Sequence, residues 1–237
     1  RALLERQRLE HDVEAAWTIQ ESFLVNDWPA DDPRFEVYGR TRPARIVGGD
    51  FYDFVRIDVD RVGILIGDVS GKGMPAALTM AQLLAEFRLC SHGAGSPSEV
   101  LARLNERLVA RSRRGLFCTV AAVALNLETG RALGANAGHH PLVRVSGERA
   151  APMLDASGPP IGVLATASWK DELMEFEAGD SLLLFTDGIV EARAGLTLGG
   201  DGGGSEEYGL ENLLRVAREH ADGGPRRLIE AVIRDVD

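Results

Sequence analysis

VGILIGDVSGKGMPAALTM, running from Val62 to Met80, decides the fold. Its opening, Val62 to Gly67, is a short apolar run that ends on a carboxylate, Asp68. Such a run reads as a buried strand rather than a solvated one. Glycines at 67, 71 and 73 let the chain turn. Pro75 then opens a helix to Cys90, in the first turn, where no amide donor is needed. Working outward, Phe54 to Asp58 reads as the partner strand across a tight turn at Asp60 and Arg61. Residues 98–112 form a second helix, with Leu101, Leu104, Leu108 and Val109 on one face. Residues 35–41 alternate like a strand, and 117–127, 131–137, Pro141 to Val145, Glu172 to Phe176 and Leu182 to Phe185 read as strands. Tyr208 to His220 and Pro225 to Val236 close the chain as helices, after a glycine-rich loop from Gly195 to Ser205. Strands and helices come in blocks, not in βα alternation. That order points to an α+β fold with antiparallel sheets and helices outside them.

The 237 residues carry 26 basic and 36 acidic side chains, a formal charge of -10. This balance argues against a general nucleic-acid surface or an anionic-membrane surface. No apolar run approaches the roughly 20 residues a membrane helix needs. Cys90 and Cys118 stand alone, as buried thiols do in a reducing compartment, so a cytoplasmic location is expected. The chain opens at Arg1, and we expect it to be part of a longer protein. Leu4, Leu9, Val13, Ala16, Ile19 and Phe23 mark a helix over residues 3–25. It suits either a linker from an upstream domain or an ordinary packed helix. Its stripe also admits pairing with a second copy as a homodimer. The boundary is set at a linker over 1–28 and a larger domain over 29–237.

Three clusters could carry chemistry. They are Gly48-Gly49-Asp50-Phe51-Tyr52-Asp53, Gly67-Asp68-Val69-Ser70-Gly71-Lys72-Gly73-Met74, and Phe185-Thr186-Asp187-Gly188. Asp beside Gly is a common turn former. Carboxylates at the ends of buried strands are also what hard divalent cations bind. Gly67 to Met74 is not a P-loop: only three residues separate Gly67 from Gly71, and Gly73 follows Lys72 where a hydroxyl is required. His139 and His140 could bind metal, act as an acid or play a structural part; adjacent strand residues face opposite ways and do not easily share an ion. Arg45 could face a phosphate or solvent. Cys118 lies in an apolar strand and makes a poor nucleophile.

At PARIVGGDFYDF, GDVSGKGMPAALTM, NAGHHP and LFTDGIVEAR the sequence resembles the bacterial branch of the metal-dependent PPM (PP2C-type) serine/threonine phosphatases. The SpoIIE/RsbU-like group is the nearest. The resemblance implies a four-layer α-β-β-α sandwich with two central antiparallel sheets, preceded by a linker helix. It implies two Mn²⁺ or Mg²⁺ ions and in-line attack of metal-activated water on a phosphoester. Asp68 would bridge the ions, Asp50 and the Val69 carbonyl would hold one, and Asp187 would help hold the other. Asp53 would lie nearby. The residues from Gly71 into the following helix would form a switch element. The family's last strand opens on a further metal-binding Asp, which this sequence does not show; Asp235 falls in a helix pattern and is not assigned that role. The implied substrate is a phosphorylated STAS-type anti-sigma-factor antagonist, with an upstream sensor domain as a further partner. A metal-deficient binding domain of the same fold and a small-molecule phosphohydrolase are the competing readings.

Overall fold

The computed structural model describes residues 18–24, 32–42, 48–111, 115–193 and 207–237. Among these described residues, eight strands form two antiparallel sheets. β1 (Asp50–Arg56), β2 (Arg61–Val69), β3 (Cys118–Asn126), β4 (Arg131–Ala137) and β7 (Glu172–Glu175) make a five-stranded sheet in the order β1-β2-β3-β4-β7. β5 (Leu142–Ser146), β6 (Arg149–Met153) and β8 (Ser181–Leu183) make a three-stranded sheet in the order β6-β5-β8.

β2 shows why the sheets stack. Val62, Ile64 and Ile66 face one way, into a core shared with Leu142, Leu154 and Met174 between the two sheets. Leu65 and Val69 face the other way, against Met80, Leu83 and Phe87 of α1 (Met74–Ser91) and Leu101 and Leu104 of α2 (Pro97–Arg111). Glycine at 63 and 67 on that helix-facing side is a packing requirement. A Cβ at Gly67 would sit 2.7 Å from the Phe51 ring, and one at Gly63 would sit 2.9 Å from Val55. A short helix α3 (Asp187–Val190) follows β8. The far face of the small sheet packs Val143, Val145 and Leu183 on Leu213, Leu228 and Val232 of α4 (Gly209–Glu219) and α5 (Gly224–Val236). The layers are therefore α1/α2, five strands, three strands, α4/α5. Each fully buried Leu, Ile or Val in them stabilises the fold by about 1.5–3 kcal/mol.

The expected strand at 35–41 does not form; Tyr38 makes one isolated bridge. Side-chain contacts with α5 replace a ladder there. Arg226 stacks over the Tyr38 ring at 4.4 Å and Arg42 pairs with Asp237. β1 begins at Asp50, earlier than the expected Phe54, because its ladder with β2 runs on to Asp68. β6 was not foreseen: it is a largely exposed edge strand containing Pro152, and an edge tolerates both. Most of the expected first helix, Arg45 and the Gly195 to Ser205 loop lie outside the described residues; residues 18–23 are helical. Among the described residues no helix is long and apolar enough to cross a membrane.

Candidate metal centre

Register builds the site. Asp68 closes β2 opposite Asp50 on β1 and opposite Thr119 on β3. It shares the face of Val62, Ile64 and Ile66, so it emerges where the core between the sheets meets solvent. The small sheet supplies the third group. After β8 the chain passes through the buried Phe185 to Thr186, an extended residue that precedes Asp187 at the head of α3. Oxygens of Asp50, Asp68 and Asp187 all lie within 4.8 Å of one another, and all three residues are half-buried. Thr186 Oγ1 donates to Asp50 Oδ2 at 3.3 Å, crossing from one sheet to the other.

Gly49 is the close approach that the arrangement requires. A Cβ there would lie 2.4 Å from the Val69 carbonyl oxygen and 3.0 Å from Asp68 Oδ1. The Val69 amide donates back to the Gly49 carbonyl at 3.2 Å. Of the four expected ligands, Asp50, Asp68 and Asp187 are gathered at one edge of the sandwich, and the Val69 carbonyl lies beside Gly49. The donors are all oxygens and mostly carboxylates, which fits Mg²⁺ or Mn²⁺ and not a soft ion.

Crowding shows in the electrostatics. Burial, then the neighbouring Asp50 and Asp187, push the Asp68 carboxyl up to about 7. Burial also raises Asp50. Without a cation the cluster therefore retains a proton near neutral pH, shared between Asp50 and Asp68. A groove of about 1500 Å³ opens from the carboxylates along the sandwich edge, with Lys72 at its acidic end.

Asp53 is not part of this cluster. Three residues from Asp50 on the same strand, it faces the helix layer and is fully buried. Arg88 of α1 holds it, through Nε at 2.6 Å and Nη2 at 3.1 Å, and also donates to the Phe23 carbonyl at 2.9 Å. Gln20 makes a second tie from the N-terminal helix: its Nε2 donates to the Gly48 carbonyl at 2.7 Å, and its Oε1 accepts from the Gly48 amide at 3.3 Å. Asp235 is remote from the centre, bonded to Tyr208 and Arg215. Sequence reasoning missed Gln20 and Thr119 and named Thr186 only as part of the Asp187 cluster. Neither Gln20 nor Thr119 carries a local signal, because long-range packing and register place them.

His139 is buried and faces inward, whereas the half-buried His140 packs on the Phe185 ring at a centroid distance of 5.6 Å. Both expected histidines thus contact Phe185. Neither joins the carboxylate cluster.

The comparisons with known proteins agree with this geometry. Phosphoserine phosphatase RsbU of Bacillus subtilis is 27% identical over 228 residues, which cover 96% of this chain and 65% of RsbU. Phosphoserine phosphatase RsbP of the same organism is 26% identical over 189 residues, covering 78% of this chain and 46% of RsbP. The chain therefore spans less than two thirds of either relative. The SiaA PP2C domain of Pseudomonas aeruginosa superposes with a TM-score of 0.78 at 19% identity, over 98% of this chain and 90% of that one, so the sandwich is a PP2C-type fold. The family model for Stage II sporulation protein E (SpoIIE) matches residues 58–237. Matched over most of its length, the chain belongs to the Stage II sporulation protein E (SpoIIE) family.

Proposed function

We propose that the chain is a divalent-metal-dependent protein serine/threonine phosphatase, with Asp50, Asp68, Asp187 and the Val69 carbonyl as its metal ligands. The observation that carries this reading is the convergence of three carboxylates from three separate elements. Bound Mn²⁺ or Mg²⁺ supplies Lewis acidity to the phosphoryl oxygens and to the attacking water. The chain's own residues do the rest. Asp68 would hold metal together with Asp50 and Asp187, and its buried strand fixes its position. Asp50 and Asp68 give up their shared proton when a cation arrives. Lys72 lines the same groove as the three aspartates and supplies a positive charge for a phosphoryl group there.

The proposed substrate is a phosphorylated STAS-domain anti-sigma-factor antagonist in the cytoplasm. The names of RsbU and RsbP, phosphoserine phosphatases both, support the phosphoserine part of this reading. Residues 1–28 are proposed as the linker to an upstream sensor and as a homodimer contact. Residues 29–237 are the catalytic domain. Leu24, buried in the α1/α2 core, and the Gln20 and Phe23 contacts support a linker docked on that domain.

The test is phosphate release from a phosphorylated STAS-domain protein, with Mn²⁺ and with EDTA, beside free phosphometabolites. Mn²⁺-dependent release from the phosphoprotein alone is expected. Release only from phosphometabolites replaces the substrate class, and no release from any substrate favours a binding domain of the same fold.

A further inference from the structure

The buried imidazole of His139 lies behind the carboxylates and touches both halves of the sandwich. Its Nε2 is 3.1 Å from the Phe185 carbonyl oxygen, and its Nδ1 is 3.1 Å from Thr119 Oγ1. A carbonyl only accepts, so Nε2 carries the hydrogen. The neutral ring then accepts at Nδ1, and the Thr119 hydroxyl donates to it. Burial keeps the ring neutral, with its pKa down to about 4.

The two partners are informative. Thr119 is the ladder neighbour of Asp68, and Phe185 is two residues before Asp187. The ring therefore spans the gap between β3, the ladder neighbour of the strand that carries Asp68, and the segment that carries Asp187. Its own position is fixed from behind. Asn136, fully buried, accepts from the His139 amide at 2.8 Å and donates to the carbonyls of His139 at 3.1 Å and Leu154 at 2.9 Å. Gly138 turns the chain at φ 71°, and a Cβ there would strike Pro160 at 2.8 Å.

We propose that His139 is a positioning residue that sets the separation of the Asp68 and Asp187 carboxylates, and so the affinity of the centre for a divalent cation. This rests on the reading of the cleft as a metal-dependent phosphatase centre. Groups that orient metal ligands from behind change metal affinity by about 10- to 100-fold when removed.

The test is Mn²⁺ binding to the whole chain by calorimetry or by the electron paramagnetic resonance of free Mn²⁺, with metal-free melting followed in parallel. His139→Gln retains an N–H at the Nε2 position. It should bind Mn²⁺ within about threefold of the native chain, while His139→Ala binds at least about tenfold more weakly. Both should melt below the native protein by similar amounts, so that affinity and stability separate. Thr119→Val preserves volume and cuts one tether; it should weaken Mn²⁺ binding with little change in melting, and it serves if His139→Ala does not fold. Native affinity in His139→Ala, or in Thr119→Val where that variant stands in, overturns the proposal, as does equal loss in His139→Gln and His139→Ala. A native chain that binds no Mn²⁺ overturns this proposal and the metal-centre reading together. A native chain that binds Mn²⁺ but hydrolyses no phosphoprotein overturns the phosphatase reading alone.

Discussion

Asp50 and Asp68 are direct ladder partners, the first residue of β1 against the penultimate residue of β2. Like charges placed directly opposite in a sheet destabilise it. Here the pair is also half-buried, with Asp187 closing in from the other sheet. A cation held as proposed would relieve this repulsion.

Asp68→Asn retains the shape and removes the charge. In EDTA at pH 8 the variant is expected to melt above the native protein, because repulsion is relieved. With saturating Mn²⁺ the order should reverse. Turnover should fall by at least about 10²–10³, the equivalent of about 2.7–4 kcal/mol for one lost charge-stabilising group. Activity within about threefold of native under saturating Mn²⁺ would remove Asp68 from the bridging role. Circular dichroism on the same preparation separates that result from misfolding.

The contribution of Asp68 to stability without metal should fall as pH rises. The Asp68 carboxyl is raised from its usual 3.8 to about 7 in the folded protein. The folded state therefore binds the extra proton between those values. The resulting stability is fully present below about 4 and is lost as pH climbs through about 7. Melts of the native chain and of Asp68→Asn in EDTA at pH 5.5 and 8 check the sign: His139, held down to about 4, works the opposite way in both, so the stability of the native chain relative to the variant should fall at pH 8, and an unchanged or rising difference contradicts it. Mn²⁺ should flatten the dependence, with more protons released on binding at pH 6 than at pH 8.

Gly49→Ala tests the close approach. The added methyl would sit 2.4 Å from a backbone oxygen, which cannot swing aside as a side chain can. Overpacking of this kind costs about 1–3 kcal/mol. Urea unfolding should show that loss, and Mn²⁺ titration should show weakened binding. A stability change under about 0.5 kcal/mol would mean that the Gly49 turn is looser than described.

Arg88→Ala leaves Asp53 buried without its partner. Breaking a fully buried pair costs about 3–5 kcal/mol. Arg88 is 44% exposed, so solvent offsets part of this and about 2–3 kcal/mol is expected. Adding Asp53→Asn should recover most of it. Guanidinium unfolding of both single variants and the double variant measures the coupling, and purely additive losses would show that the pair is not coupled.

The motif residues were legible in the sequence because each carboxylate follows a short apolar run or a glycine pair, and those patterns are local. VGILIGD gave a buried strand ending on a carboxylate, and the block order of elements gave antiparallel sheets with outer helices. What tertiary register decides was not legible. Asp53 looked like a companion of Asp50, yet the period of two turns it into the helix layer and onto Arg88. Residues 35–41 alternate convincingly, but their side chains are held by α5 instead of a ladder. RAAPM carries no strand signal and forms β6 because the preceding turn folds it back on β5. The bridge from Thr119 through His139 to Phe185 joins residues 66 positions apart, and no spacing rule announces it.

The Phe51 ring fills the space left by Gly67, and these two residues stand next to Asp50 and Asp68 on the opposite face of the ladder. A hairpin that paired one residue out of step would turn Asp50 under α1 and lift the ring out of its slot. The misaligned form would carry Asp50 into the helix layer, take Asp53 away from Arg88, and leave a void the size of an aromatic ring beside it. Mispairing is thus penalised twice at the same spot, so this hairpin proofreads its own alignment before any metal binds.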